Sequence, residues 1–293
     1  MATSIRRFHP DTKVIAYIGQ AQGRTLDATG RALRAFAGHD IGLCWIGADD
    51  FNAWTDTRSP YLATMNARWH AETKADHIII ADADIIFTHH LEYLFMHDAV
   101  LGVMAHVRPM SEQDMRYLYN IAGADWNATG NHPYSGNGVM GPIDASGPFY
   151  VNSGFVFIPR TYFEAMVPHY HYAIGIMRSA MRDTYWFDQL ALALAVARSG
   201  VPCTALPLRF NFPNQAAFDT AHPRELDSIR VLHYLREDVI NRTTDFESLP
   251  AIRRLVARTD LKGSNEVLRR TVAEVMGCLE PARLERAEDA PYA

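Results

Sequence analysis

Three short apolar runs, Lys13 to Ile18, Ile41 to Ile46 and His77 to Ala81, alternate with two stretches of helical character, and this order most restricts the fold. Strand, helix, strand, helix, strand implies crossover connections, so the three runs are predicted to lie parallel in one sheet. The first run ends in the tight loop Gly19-Gln20-Ala21-Gln22-Gly23. Thr25 is placed to cap the helix that follows, Leu26, Leu33 and Phe36 share a face, and Gly38 is placed to stop it. The second run breaks at Gly47-Ala48-Asp49-Asp50, and Tyr61 to Lys74 supplies the second helix.

Between Val107 and Gly147 the periodicity dissolves into Pro, Gly, Asn and aromatic residues, which reads as a long loop, functional or mobile. Order returns in a strand over Phe149 to Ile158, helices near Thr161 to Met166 and Trp186 to Ser199, and strands near Cys203 to Leu208 and Arg230 to Tyr234. Beyond Thr244 the chain turns helical and Arg-rich, with Leu268, Val272, Val275 and Leu279 at helical intervals. The expected organisation is an α/β domain over residues 1–245, with a mostly parallel, Rossmann-like central sheet, followed by a C-terminal helical extension and tail over 246–293.

Composition removes several function classes. With 293 residues, 48% of them hydrophobic, the chain can build a sizeable core, and a net charge of −5 argues against a surface made to neutralise phosphates, so nucleic acid is not the expected partner. Three cysteines, Cys44, Cys203 and Cys278, lie far apart without a CxxC pair, which speaks against a zinc ribbon or a disulfide framework. Arg6 and Arg7 are not followed by an apolar segment, and no run of about 18 apolar residues occurs. The expectation is therefore a cytoplasmic protein with no stable membrane span.

The sharpest chemical signal is Ile78-Ile79-Ile80-Ala81-Asp82-Ala83-Asp84-Ile85-Ile86-Phe87, with two carboxylates at alternate positions where the apolar strand should end. Residues two apart on extended chain point the same way. Two carboxylates on one face repel, and a divalent cation is the natural way to hold them together. The plainer reading makes one Asp a cap and the other a solvated charge.

This segment resembles the DxD motif of nucleotide-sugar glycosyltransferases of the A fold, and three later segments resemble, in order, the retaining glycosyltransferase family 8. Tyr150-Val151-Asn152-Ser153-Gly154-Phe155 is similar to its Phe-Asn-Ser-Gly segment, Trp186-Phe187-Asp188-Gln189-Leu190 to its Asp-Gln motif, and Leu232-His233-Tyr234 to the start of its His-x-x-Gly-x-x-Lys-Pro-Trp motif. The resemblance covers roughly residues 13 to 242. It implies a single A-fold catalytic domain and transfer of a hexose from a nucleoside diphosphate sugar, such as a UDP-sugar, to a small-molecule or glycan acceptor with retention. After His233 the chain departs from the pattern: Arg236 stands at the Gly position, Val239 at the Lys position, and Pro-Trp is absent. Arg236 and Arg242 are the candidate replacement cations.

The resemblance implies that Asp82, Asp84 and His233 ligate a metal ion, and this carboxylate-rich mixed set suits Mn²⁺ or Mg²⁺. It assigns Asp188 and Gln189 to catalysis. Donor contacts fall to Ile18, Gly19 and Gln20 at the first strand end, to Arg68, to Asp82 and Ala83, to Asn152 and Ser153, and to Arg236. The loop from Ile18 to Gly23 and the acidic turn Asp49-Asp50 are the expected nucleoside pocket, because ligands bind outside the carboxyl ends of parallel strands.

Each residue also has a structural alternative. The alternative for His233 is a core histidine, for Asp188 a helix cap, for Arg68 a solvated helix residue, and for Trp126, His132 and Tyr134 packing that holds down the long loop. Two other function classes fit part of the pattern. One is a sugar-nucleotide or carbohydrate binding protein without turnover. The other is a haloacid dehalogenase-type phosphohydrolase, whose motif lies near the start of its fold and carries Thr where this chain has Ile86.

Overall fold

The computed structural model describes residues 1–19, 40–46, 67–70, 73–180, 186–235 and 238–288. The expected helix from Thr25 to Gly38, the Asp49-Asp50 turn, most of Tyr61 to Lys74, Gln20 and Arg236 lie outside the described residues. The strands, in chain order, are β1 (Val14–Gly19), β2 (Ile41–Ile46), β3 (His77–Ala81), β4 (Ile85–Phe87), β5 (Val100–Met104), β6 (His132–Pro133), β7 (Ser146–Gly147), β8 (Val151–Pro159), β9 (Cys203–Leu206), β10 (Phe212–Pro213) and β11 (Val231–His233). The chain forms two compact units. One comprises Lys13–Ala81 and Glu92–Leu206, the other Met1–Thr12, Asp82–Leu91 and Pro207–Ala293.

The first unit is mixed α/β. Its β1 and β2 pair in parallel from Val14 opposite Ile41 to Gly19 opposite Ile46, as the strand order predicts. Its four-stranded sheet has the order β3-β8-β5-β9. Within that sheet β5 and β9 are parallel, but β8 runs antiparallel to both β3 and β5, so a mostly parallel sheet is a partial description of what forms. The reason lies in the connection, since the chain between β5 and β8 is not a simple helical crossover of the kind a parallel neighbour needs. At the β5–β8 bulge, a Cβ on Gly102 would lie 3.0 Å from Val151, and glycine permits the strands to close there.

Helices Arg160–Ala180 and Phe187–Ser199 cover this sheet. The first is longer than its apolar stretch predicts and carries Pro168 inside it. Phe163, Met166, Tyr170, Ala173, Ile174 and Met177 form its buried stripe. The second is buried at every position from Phe187 to Ala197, so it is a core helix with no wet face. Gly200 ends it in the left-handed conformation, φ 67°, donating to Val196 O. Trp69 stacks on Phe163 and Tyr170, with centroids 5.3 and 4.4 Å away. Each fully buried large apolar side chain here contributes about 1.5–3 kcal/mol of transfer free energy.

The long loop is interrupted by a helix over Glu112–Ile121. Ser111 caps it by accepting from Asp114 N, and Met115, Leu118 and Tyr119 face the core. Ser-x-x-Asp followed by this spacing was the available signal, masked by the Gly- and Asn-rich chain that follows. The loop aromatics fill packing roles. Arg116 lies over Trp126 at 4.4 Å, Tyr119 meets Trp126 edge-on, and Tyr134 is buried.

In the second unit β4, β11 and β10 form a three-stranded sheet, with β11 antiparallel to β4 and parallel to β10. Helix Gly263–Glu288 and helix Leu249–Ala257 confirm the helical character expected beyond Thr244. Asp219 Oδ2 accepts from Ser264 N at the start of the longer helix. Among the described residues no helix is long and apolar enough to cross a membrane.

Candidate functional site

Ile85, Ile86 and Phe87 are fully buried, which pins β4 against β11 with Ile85 opposite His233. The ladder continues one step further, as Tyr234 N donates to Asp84 O at 2.9 Å. That register sets Asp84 beside His233. Asp82-Ala83-Asp84 is a turn between β3 and β4, so the carboxylates converge through the turn rather than through extended alternation. Tyr234 supports the turn through its hydroxyl, which donates to Ala83 O at 3.3 Å, while its ring stacks on Phe246.

His233 Nε2 lies 3.2 Å from Asp84 Oδ1 and 3.9 Å from Asp82 Oδ2. Behind the ring, Nδ1 is 3.0 Å from Oδ1 of the buried Asn211. The Arg242 guanidinium bonds the other Asp84 oxygen. Burial alone pushes the Asp84 carboxyl up. The hydrogen bond and charge of His233, and then those of Arg242, outweigh it and hold the group at about 2. Asp84 therefore carries its charge throughout the neutral range.

These residues suit a small divalent ion. One ligand atom each from Asp82, Asp84 and His233 lie within 4.8 Å of one another. An ion about 2.1 Å from each of two donors spans up to about 4.2 Å, and the His233 separations fall inside that limit. Two carboxylate oxygens and one imidazole nitrogen make a mixed oxygen and nitrogen donor set of the kind that holds divalent ions.

Ile18, Gly19, Arg68, Asn152, Ser153, Asp188 and Gln189 lie in the first unit. Ser153 donates to Asp188 Oδ2 at 2.5 Å. Asp188 sits in the first turn of its helix, which has Trp186 at the cap position and no side-chain cap. The capping alternative is therefore replaced by a buried carboxylate held by a serine and favoured by the helix N-terminus. Gln189 follows it, also buried, and its Oε1 has no hydrogen-bond partner among the described residues. Asn152 Oδ1 accepts from Gly154 N at 2.8 Å. Arg68 lies in the turn Arg68–His70 and donates to Ala81 O at 2.9 Å, and Thr73 and Lys74, the last residues of the expected helix, are irregular. Ile18 and Gly19 are the last two residues of β1, which runs one residue past the predicted strand end at Ile18.

Asn211 had no sequence signal. It stands 22 residues from His233, and only the fold puts its amide against the ring.

No family model matches the chain, and no curated protein matches it. Among solved structures, the chain is similar to the galactosyltransferase LgtC in complex with donor and acceptor sugar analogs (17% identity over 80% of this chain and 81% of that one, TM-score 0.45). It is also similar to an active-site mutant of LgtC (16%, 86% and 87%, TM-score 0.48) and to the apo form of mouse xyloside xylosyltransferase 1 (9%, 76% and 97%, TM-score 0.43).

Proposed function

We propose that this chain is a metal-dependent glycosyltransferase that moves a hexose from a nucleoside diphosphate sugar, such as a UDP-sugar, to an acceptor with retention of configuration. The observation that carries this reading is the meeting of Asp82, Asp84 and His233, three donors from two segments 149 residues apart in sequence. Bound there, Mn²⁺ or Mg²⁺ supplies positive charge to the diphosphate as it departs. The chain's part is to hold two carboxylates and one imidazole in place, which Arg242, Tyr234 and Asn211 support through the contacts described above.

Asp188 and Gln189 are read as sugar-facing groups. A carboxylate fixed by the Ser153 hydroxyl suits orienting sugar hydroxyls, and the Gln189 amide oxygen suits a positive charge developing at the anomeric carbon. Retention requires no carboxylate base for the acceptor, whose proton passes to the departing phosphate oxygen. Ile18, Gly19, Gln20, Arg68, Asn152, Ser153 and Arg236 complete the proposed donor contacts.

The test is release of nucleoside diphosphate from a panel of nucleotide sugars with and without Mn²⁺. The expected result is metal-dependent release that Asp84→Asn abolishes while its circular dichroism stays that of the wild type. Orthophosphate as the product would identify a phosphohydrolase instead, and binding without release a non-catalytic protein. Proton NMR of the first-formed glycoside from an α donor is expected to show an α anomeric coupling, and a β coupling would overturn retention.

A further inference from the structure

The ring nitrogen of His233 that faces Asp82 and Asp84 can serve a cation only if the proton sits on the other nitrogen. That other nitrogen meets a carbonyl oxygen, Asn211 Oδ1 at 3.0 Å, and an amide oxygen only accepts. We propose that Asn211 is the positioning residue of the metal centre, holding the His233 ring through its Nδ1 hydrogen so that Nε2, which bonds Asp84 when no cation is bound, is aimed at a cation held with the carboxylates. This inference rests on the metal-binding reading above.

The surroundings make the arrangement stiff. Asn211 is 2% exposed and His233 5%, so water has little access to either partner. Asn211 follows the turn Leu208–Phe210, whose ends are tied by Phe210 N and Asn211 N bonding Pro207 O and Leu208 O. Asn211 immediately precedes β10, which runs parallel to β11 with Phe212 opposite Leu232. Asn214 N donates to His233 O at 3.3 Å, and Asn214 Nδ2 to Asn265 Oδ1 at 3.2 Å. The segment that presents the Asn211 amide is thus bonded to the same strand that presents the imidazole. A hydrogen bond to the far nitrogen of a ligating histidine orients the ring and raises its basicity, and losing it typically costs about 10- to 100-fold in metal affinity.

The test measures Mn²⁺ affinity of the full chain by electron paramagnetic resonance, without substrate. Asn211→Leu keeps the volume and removes the acceptor, and is expected to weaken Mn²⁺ binding by about 10- to 100-fold. Asn211→Asp keeps an acceptor in place and is expected to restore wild-type affinity or exceed it. In the Mg²⁺-loaded wild type labelled with ¹⁵N-histidine, the His233 Nδ1 hydrogen is expected to exchange slowly with solvent. Should the leucine variant fail to fold, the aspartate variant and this wild-type spectrum decide. An Asn211→Leu variant that binds Mn²⁺ like the wild type, while Asp84→Asn does not bind, overturns the role of Asn211 and leaves the metal centre standing. A freely exchanging Nδ1 hydrogen in the wild type overturns it as well. Loss of neither variant's affinity removes the metal centre and this inference together.

Discussion

Arg242 bonds Asp84 on the oxygen that His233 does not face, so a single carboxylate is shared between a guanidinium and an imidazole. An incoming cation must join this arrangement against the charge of Arg242. Replacing Arg242 by Gln is expected to raise Mn²⁺ affinity in the absence of nucleotide by about two- to five-fold, the scale of a partly exposed ion pair. With Mn²⁺ present, the same variant is expected to bind nucleoside diphosphate more weakly. Calorimetric titration with Mn²⁺ and then with UDP reads both, and weaker Mn²⁺ binding would assign Arg242 a purely structural part.

Gln189 presents an oxygen with no partner among the described residues, and the proposed partner exists fully only as charge develops on the sugar. Gln189→Ala is accordingly expected to lower turnover by about 10-fold or more, with metal and nucleotide affinity nearly unchanged. Steady-state rates beside a UDP titration check this. A change in KM alone would make Gln189 an ordinary binding residue.

The tyrosines of the first unit predict an alkaline limit to its stability. Burial pushes the phenols of Tyr119, Tyr150 and Tyr170 up, and that of Tyr134 up to about 12. An unfolded phenol ionises near pH 10. Below that pH both states keep the proton and stability is whole. Above it the unfolded state alone releases protons, so stability falls as pH rises from about 10 toward 12. For the deeply buried Tyr150 and Tyr170 the loss is about 1.4 kcal/mol per pH unit each. Absorbance at 295 nm is expected to rise steeply together with loss of circular dichroism, and early ionisation without unfolding would contradict it.

At Gly102 an added Cβ would lie 3.0 Å from Val151 on β8. Gly102→Ala is expected to destabilise the fold by about 1–3 kcal/mol through overpacking against Val151. Urea denaturation measures it, and an unchanged midpoint would show that β8 gives way there.

Much of this was legible in the chain itself because the signals were local. The strand ending at Ala81, the Asp82 and Asp84 pair, the Phe187–Ser199 helix and the short strand at His233 all follow from runs of a few residues. What escaped depended on distance or on competing composition. The antiparallel direction of β8 is set by pairing across some fifty intervening residues, which periodicity does not encode. The Glu112–Ile121 helix was hidden by Pro109 before it and the Gly- and Asn-rich chain after it. Asn211 belongs to the site only through the pairing of β10 with β11, and no spacing rule reaches it.

The helix from Phe187 to Ser199 has every side occupied from Phe187 to Ala197. An ordinary surface helix can drift through many sequences on its outward face while its inward face stays put. This one has no outward face on which to drift. Asp188 and Gln189 are therefore carried on an element whose neighbours all resist change at once, and the specificity of this protein is expected to diversify elsewhere. In a saturation library, tolerated substitutions should be sparse along the whole of 187–197, including the positions remote from any substrate.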